Sequence, residues 1–130
     1  MPARSSLLPI CFFVCLSVWT VALLIPTKET ANRVFKDDSA KFYISKTLHV
    51  CAYAFLTTLS SMAAGNNRQR WYALGLLSFH GFATEFLQQF VHRGASLRDV
   101  GLDHIGIVLG FLASRRRWRP EPTLSTKAKG

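Results

Sequence analysis

At 130 residues and 14.6 kDa the chain has room for one domain, and a composition 49% hydrophobic and 12% aromatic excludes a disordered polypeptide. Only 18% of residues are charged, yet 16 Lys and Arg face 7 Asp and Glu, for a formal net charge of +9. Because these basic residues punctuate long apolar runs instead of lining one soluble face, the balance points to a membrane protein and away from nucleic-acid binding.

Leu7 to Ile25 reads LLPICFFVCLSVWTVALLI, without a charge. As a helix this run spans about 28 Å, close to a hydrocarbon core of about 30 Å. Arg4 and the apolar start resemble a signal peptide. The run nevertheless exceeds an h-region of about 7 to 15 residues and ends at Pro26-Thr27-Lys28 without an Ala-x-Ala site, so a retained anchor is expected. Cys11 and Cys15 in this run, with Cys51 further on, are too few for a disulfide framework and read as small packing residues.

Residues 26 to 46 carry mixed charges and form a partly structured aqueous or interfacial loop. Asp38 or Ser39 is expected to cap a second helix, approximately 39–64, with Gly65-Asn66-Asn67 as a left-handed stop. Its Thr57, Thr58, Ser60 and Ser61 lower the hydropathy, but hydroxyls bond back to their own helix or to a neighbour. Arg68 and Arg70 precede Trp71-Tyr72, as where a helix enters a membrane from a positive, aromatic interface, and a third span follows over approximately 71–91. After Gly94, Ser96-x-x-Asp99 has the form of a capping box opening a fourth helix, approximately 97–114. Arg115 to Arg119 closes the membrane domain (1–118), and 119–130 reads as a disordered basic tail. The expected fold is therefore all-α, a four-helix transmembrane bundle. The slight excess of Lys and Arg at the terminal side puts both termini on the cytoplasmic side.

Helical spacing draws three polar stripes. Lys46, His49, Tyr53 and Leu56 share one face of the second helix; Glu85, Gln88, Gln89 and His92 share one of the third; Asp99, Asp103, Gly106 and Gly110 share one of the fourth. Charges inside a membrane need partners, so Glu85 and Asp103 should meet Lys46, Arg93, His49 or a proton. Gly106-x-x-x-Gly110 supplies a surface for close helix packing, within the chain or in a homo-oligomer. A metal site is not expected: His92, His104, Asp99 and Asp103 lack the paired-ligand spacing of a zinc set, and His80 and Glu85 fall on different helix faces. No cofactor is implied.

The elements Lys46-x-x-His49-x-x-x-Tyr53-x-x-Leu56 and Glu85-x-x-Gln88-x-x-x-x-Arg93-x-x-Ser96-x-x-Asp99-x-x-x-Asp103-x-x-Gly106-x-x-x-Gly110 resemble the signature of VanZ-like membrane proteins. The resemblance covers roughly Lys46 to Ala113. It departs from the family at Ser45, where an acid is common, and at Asp103, where an asparagine is frequent. It implies a small bacterial multi-pass protein, of a family whose prototype is linked to teicoplanin resistance. Lys46, His49, Tyr53, Glu85, Gln88, Arg93, Ser96, Asp99 and Asp103 are then the candidate polar cluster, structural or binding, with Glu85, Arg93 and Asp99 as an ion-pair lock on the last turn. Two functions compete. One is a non-enzymatic envelope factor in contact with membrane lipids, whose Arg93, Arg98 and Lys46 meet an anionic lipid-linked envelope molecule or a membrane protein partner. The other is an intramembrane enzyme or small transporter, with Glu85 or Asp103 accepting protons through His49. A cleaved signal followed by a secreted helical domain is a third, weaker reading.

Overall fold

The computed structural model describes residues 3–25, 32–34, 36–91 and 96–118, with side chains from Leu7 onward. The expected tail 119–130, most of the linker around 26–31, and His92 and Arg93 lie outside the described residues. Four long helices make up the fold: α1 (Ala3–Leu24), α2 (Asp38–Ala63), α3 (Asn67–Gln88) and α4 (Leu97–Ser114), the last running into a 3-10 turn over Arg115–Trp118. No strand occurs among the described residues.

Side-chain caps set the helix starts. Asp37, not Asp38 or Ser39, caps α2: it holds an extended conformation and its carboxylate accepts from the Ser39 N–H at 2.9 Å. At the other end the expected left-handed glycine stop is absent. Ala64 is extended (φ −73°, ψ 133°), and Asn66 turns its side chain forward to cap α3, accepting from Gln69 N–H at 2.9 Å. Helix α3 therefore begins one turn before Trp71, and it closes at Gln88, short of Val91. Arg70 reaches back to the Ser61 carbonyl at 3.2 Å and the Ala64 carbonyl at 3.4 Å, satisfying acceptors that the end of α2 leaves open.

The helices run up and down in turn. Lys46–Asp99, His49–Asp103 and Ser61–Ser114 are separated by 53 or 54 residues along their whole length, so α2 and α4 lie parallel. Their approach is close because Gly106 and Gly110 present bare backbone to α2: a Cβ at either position would lie 2.5 Å from a carbonyl oxygen, of Val50 or of Ala54. The glycine pair thus serves packing within the chain. Helix α1 runs antiparallel to α2, with Trp19 beside His49 and Phe12 near Ser60, and parallel to α3.

The interior is inverted relative to a water-soluble domain. Buried apolar side chains are Phe12, Leu23, Tyr53, Leu56, Leu77 and Ile107. Buried polar or charged ones are more numerous: His49, Thr57, Ser60, Ser61, Thr84, Glu85, Gln88, Asp99, Asp103 and Ser114. Large apolar side chains instead cover the outside, among them Val14, Val18, Phe55, Phe79, Phe82, Val108 and Leu112. Of the four hydroxyls in the second half of α2, Thr58 bonds back to Ala54 O at 2.9 Å and Ser60 to Thr57 O at 2.8 Å, Ser61 accepts from Ser114 of α4 at 3.1 Å, and Thr57 Oγ1 is buried without a partner among the described residues. By length and composition only α1, over Leu7–Leu24, passes as a membrane span among the described residues. Helices α2 to α4 fall short because their polar residues lower the mean hydropathy; ten of those residues are buried, and large apolar side chains cover much of the exterior.

Candidate functional site

The start of α2, the end of α3 and the start of α4 meet at one end of the bundle, and there the polar stripes converge. Lys46 Nζ donates to Asp99 Oδ1, and its ammonium also lies 5.1 Å from the centre of the Phe42 ring. His49 Nδ1 and Asp103 Oδ1 are 2.7 Å apart. With Asp103 ionised the carboxylate accepts, so this nitrogen donates, and in the neutral imidazole Nε2 keeps the lone pair. The edge of Trp19 from α1 covers His49, ring centres 5.7 Å apart. Asp103, fully buried, is seated against α3 at Gly81, where a Cβ would lie 3.0 Å from Oδ2.

Ser96 and Asp99 depart from the expected capping box. Ser96 is the N-cap, its hydroxyl accepting from Arg98 N–H at 3.2 Å, but Asp99 does not return to the Ser96 amide. That amide donates instead to Glu85 Oε2 at 2.9 Å, so a side chain from α3 completes the cap. Asp99 is thereby free to reach across to Lys46. Arg93, the cation of the expected lock with Glu85 and Asp99, lies outside the described residues; of the two acids, Glu85 holds the Ser96 amide and Asp99 reaches Lys46 on α2.

Of the expected cluster, Lys46, His49, Glu85, Asp99 and Asp103 come together, with Ser96 and buried Gln88 at the same end. Arg93 and His92 lie outside the described residues. Gln89 and Arg98 are exposed and take no part in the buried set. His104 also points outward, bonded to Val100 O at 2.7 Å, so among the described residues His104, Asp99 and Asp103 are not assembled as a zinc set.

A different set is. One ring nitrogen of His49 and one carboxylate oxygen each of Glu85 and Asp99 lie within 4.8 Å of one another, all three residues buried. Periodicity within a helix does not reveal this group, because each donor comes from a different helix. Within the described residues the cluster joins three carboxyl groups to one ammonium and one imidazole, so carboxyls outnumber cations even with His49 protonated. Glu85 Oε1 and Asp103 Oδ2 are buried and accept no hydrogen bond. Glu85 also borders a cleft of about 120 Å³ with Phe82, Ser96 and Leu97, roomy enough for water.

Sequence reasoning missed Thr20 and His80. Tyr53 OH lies 2.8 Å from His80 Nδ1, and His80 Nε2 lies 2.7 Å from Thr20 Oγ1. Thr20 donates its only proton to Leu16 O at 2.7 Å, so it accepts from His80 Nε2–H, and His80 Nδ1 accepts from Tyr53. Proton directions are thus fixed along a chain that ends on a backbone carbonyl. It fastens α1, α2 and α3 together and offers a proton no exit. The available signal was a mid-span histidine opposite a tyrosine on the preceding helix, which periodicity alone does not pair.

No family model matches the chain, and no curated protein or solved structure matches it either.

Proposed function

We propose that the chain is a VanZ-like integral membrane protein whose four helices all span a bacterial inner membrane, with both termini cytoplasmic. In this reading it is a non-enzymatic envelope factor that presents its polar cluster near the outer leaflet to an anionic lipid-linked envelope molecule or a membrane partner. The observation that carries the reading is the inverted bundle. Ionisable groups are buried between the helices at one end while Val18, Phe55, Phe79, Phe82 and Val108 face outward, the arrangement that hydrocarbon favours and water penalises. The two ends also differ in the way membrane orientation requires. Arg68, Arg70 and Arg115 to Arg117 gather at one end with Trp71 and Trp118, whose rings are 5.1 Å apart, whereas acids and bases mix at the other.

Two measurements test this. Reporter fusions after Gly65 and after Arg117 should both report cytoplasm, and membrane extraction should require detergent; release into aqueous buffer would refute the bilayer reading. Substituting Lys46, Arg93 or Arg98 by Ala at unchanged membrane abundance should alter sensitivity to a teicoplanin-type glycopeptide. Unchanged sensitivity at normal abundance would overturn the envelope role.

A second reading, an intramembrane enzyme or small transporter using Glu85, Asp103 and His49 for proton transfer, is favoured by the partnerless Glu85 Oε1 beside a small cleft. The closed Tyr53–His80–Thr20 chain does not extend that route.

A further inference from the structure

We infer that His49, Glu85 and Asp99 form a binding site for one divalent transition-metal ion, with Lys46 as the built-in cation that holds the site when no metal is bound. Four features carry the inference. The three donors belong to residues that are 5%, 5% and 8% exposed, come from three different helices, and already lie within 4.8 Å of one another. Around an ion with bonds of about 2.1 Å, tetrahedral donors stand about 3.4 Å apart and opposite octahedral donors about 4.2 Å, so the helices need only modest closure.

Glu85 is held ready to ligate. Its Oε2 is anchored by the Ser96 amide at 2.9 Å, while Oε1 is buried without a partner. Leaving a carboxylate oxygen desolvated in this way is costly unless a cation or proton compensates it. His49 is oriented in the manner of a metal ligand: Nδ1 donates to Asp103 at 2.7 Å, which fixes the ring and leaves Nε2 as the nitrogen for a metal. Among the described residues three carboxyls face one ammonium, of Lys46, and one imidazole, a balance that favours a cation. Lys46 answers part of that demand through Asp99, and its side chain, 21% exposed, can swing outward when an ion takes its place.

The donor set decides the class of ion. Two carboxylates and one imidazole suit Zn²⁺ or Mn²⁺; the imidazole disfavours Ca²⁺ and Mg²⁺, and the absence of thiolate from the set disfavours Cu(I). The cleft along Glu85 and Ser96 reaches one of the three donors and is roomy enough for water.

The test uses the full chain purified in detergent, stripped with a chelator, and titrated with Zn²⁺ and with Mn²⁺ by calorimetry, with metal content measured after desalting. One ion per chain is expected for at least one of the two metals. Glu85→Gln and Asp99→Asn should weaken binding at least tenfold, and Asp103→Asn about 10- to 100-fold through loss of the carboxylate behind His49. His104→Ala, outside the set, should leave it unchanged. Lys46→Met should tighten binding at least tenfold by removing the competitor, a gain that misfolding cannot produce. Absence of stoichiometric metal from the folded wild-type chain overturns the inference. So does equal binding by Glu85→Gln, or a Lys46→Met variant that binds no more tightly than wild type; each would mark the cluster as a set of internal ion pairs alone.

Discussion

Replacing Gly110 by Ala tests how closely α2 and α4 meet. The added Cβ would sit 2.5 Å from Ala54 O, 2.6 Å from Thr57 Cβ and 3.1 Å from Thr57 Cγ2. The first obstacle is backbone, so no rotamer change relieves it, and α4 must withdraw by about 1 Å to reach ordinary contact distance. Overpacking of this kind costs about 1–3 kcal/mol, while alanine recovers about 0.5–1 kcal/mol of helix propensity that glycine forgoes. The net expectation is a loss of about 1–2 kcal/mol. Gly106→Ala, which meets Val50 O at 2.5 Å and Tyr53 Cβ at 2.9 Å, should cost a similar amount. Because one withdrawal of α4 relieves both clashes, the double variant should lose less than the two single losses combined. Gly75 and Gly101 provide the opposite sign. A Cβ at either meets nothing within 4 Å, so Gly75→Ala and Gly101→Ala should stabilise by about 0.5–1 kcal/mol. Reversible unfolding of the four single variants and the double variant in one detergent, compared as free energies, gives the ranking. If Gly110→Ala proves as stable as Gly75→Ala, the close parallel contact of α2 and α4 is wrong.

Three further outcomes follow from the same contacts. Asp103→Asn keeps an oxygen to accept from His49 Nδ1–H and should stay within about 1 kcal/mol of wild type, whereas Asp103→Leu strands that N–H and should cost about 1–3 kcal/mol in the same unfolding assay. A double-mutant cycle of Lys46→Met and Asp99→Asn, measured without metal, should show about 1–3 kcal/mol of coupling, with the double variant more stable than the sum of the single losses implies; additive losses would mean the pair does not form. Tyr53→Phe and His80→Leu should each cost about 1–2 kcal/mol, and the double variant little more than either alone, since both break one chain; fully additive losses would show that Tyr53 and His80 act separately.

The helical class and the faces of α2 and α4 were readable because both obey a single period. Lys46, His49, Tyr53 and Leu56 repeat along α2, and Asp99, Asp103, Gly106 and Gly110 along α4, and every member lies inward or half-inward. What periodicity could not supply was the pairing between helices. Asp99 reads as the acid of a capping box from local spacing, yet its partner is Lys46, 53 residues earlier, and Glu85 takes over the Ser96 amide. Cap positions slipped for a related reason. Asp37, Asp38 and Ser39 are all acceptable N-caps by residue type, and Asn66 suits a helix stop as well as a helix start, so tertiary geometry decided among locally equivalent choices.

The parallel register of α2 and α4 explains why the ionic cluster gathers at one end of the bundle. Glycine contact at Gly106 and Gly110 draws the two backbones together along the middle, where Tyr53 and Thr57 pack against bare chain and leave no room for ionic side chains. One and two turns towards the start of α4 the larger residues Asp103 and Asp99 take the inward positions, and α2 answers them at the same offset with His49 and Lys46. Glu85 arrives there because α3 runs the other way and ends where α4 begins, within reach of the Ser96 amide. The charges are therefore confined by backbone geometry to the rim of the bundle, while glycines and hydroxyl-bearing residues pack along the rest of the α2–α4 seam. Any change that separates α2 from α4 must loosen both the packing seam and the cluster, which ties the stability of the fold to the site it carries.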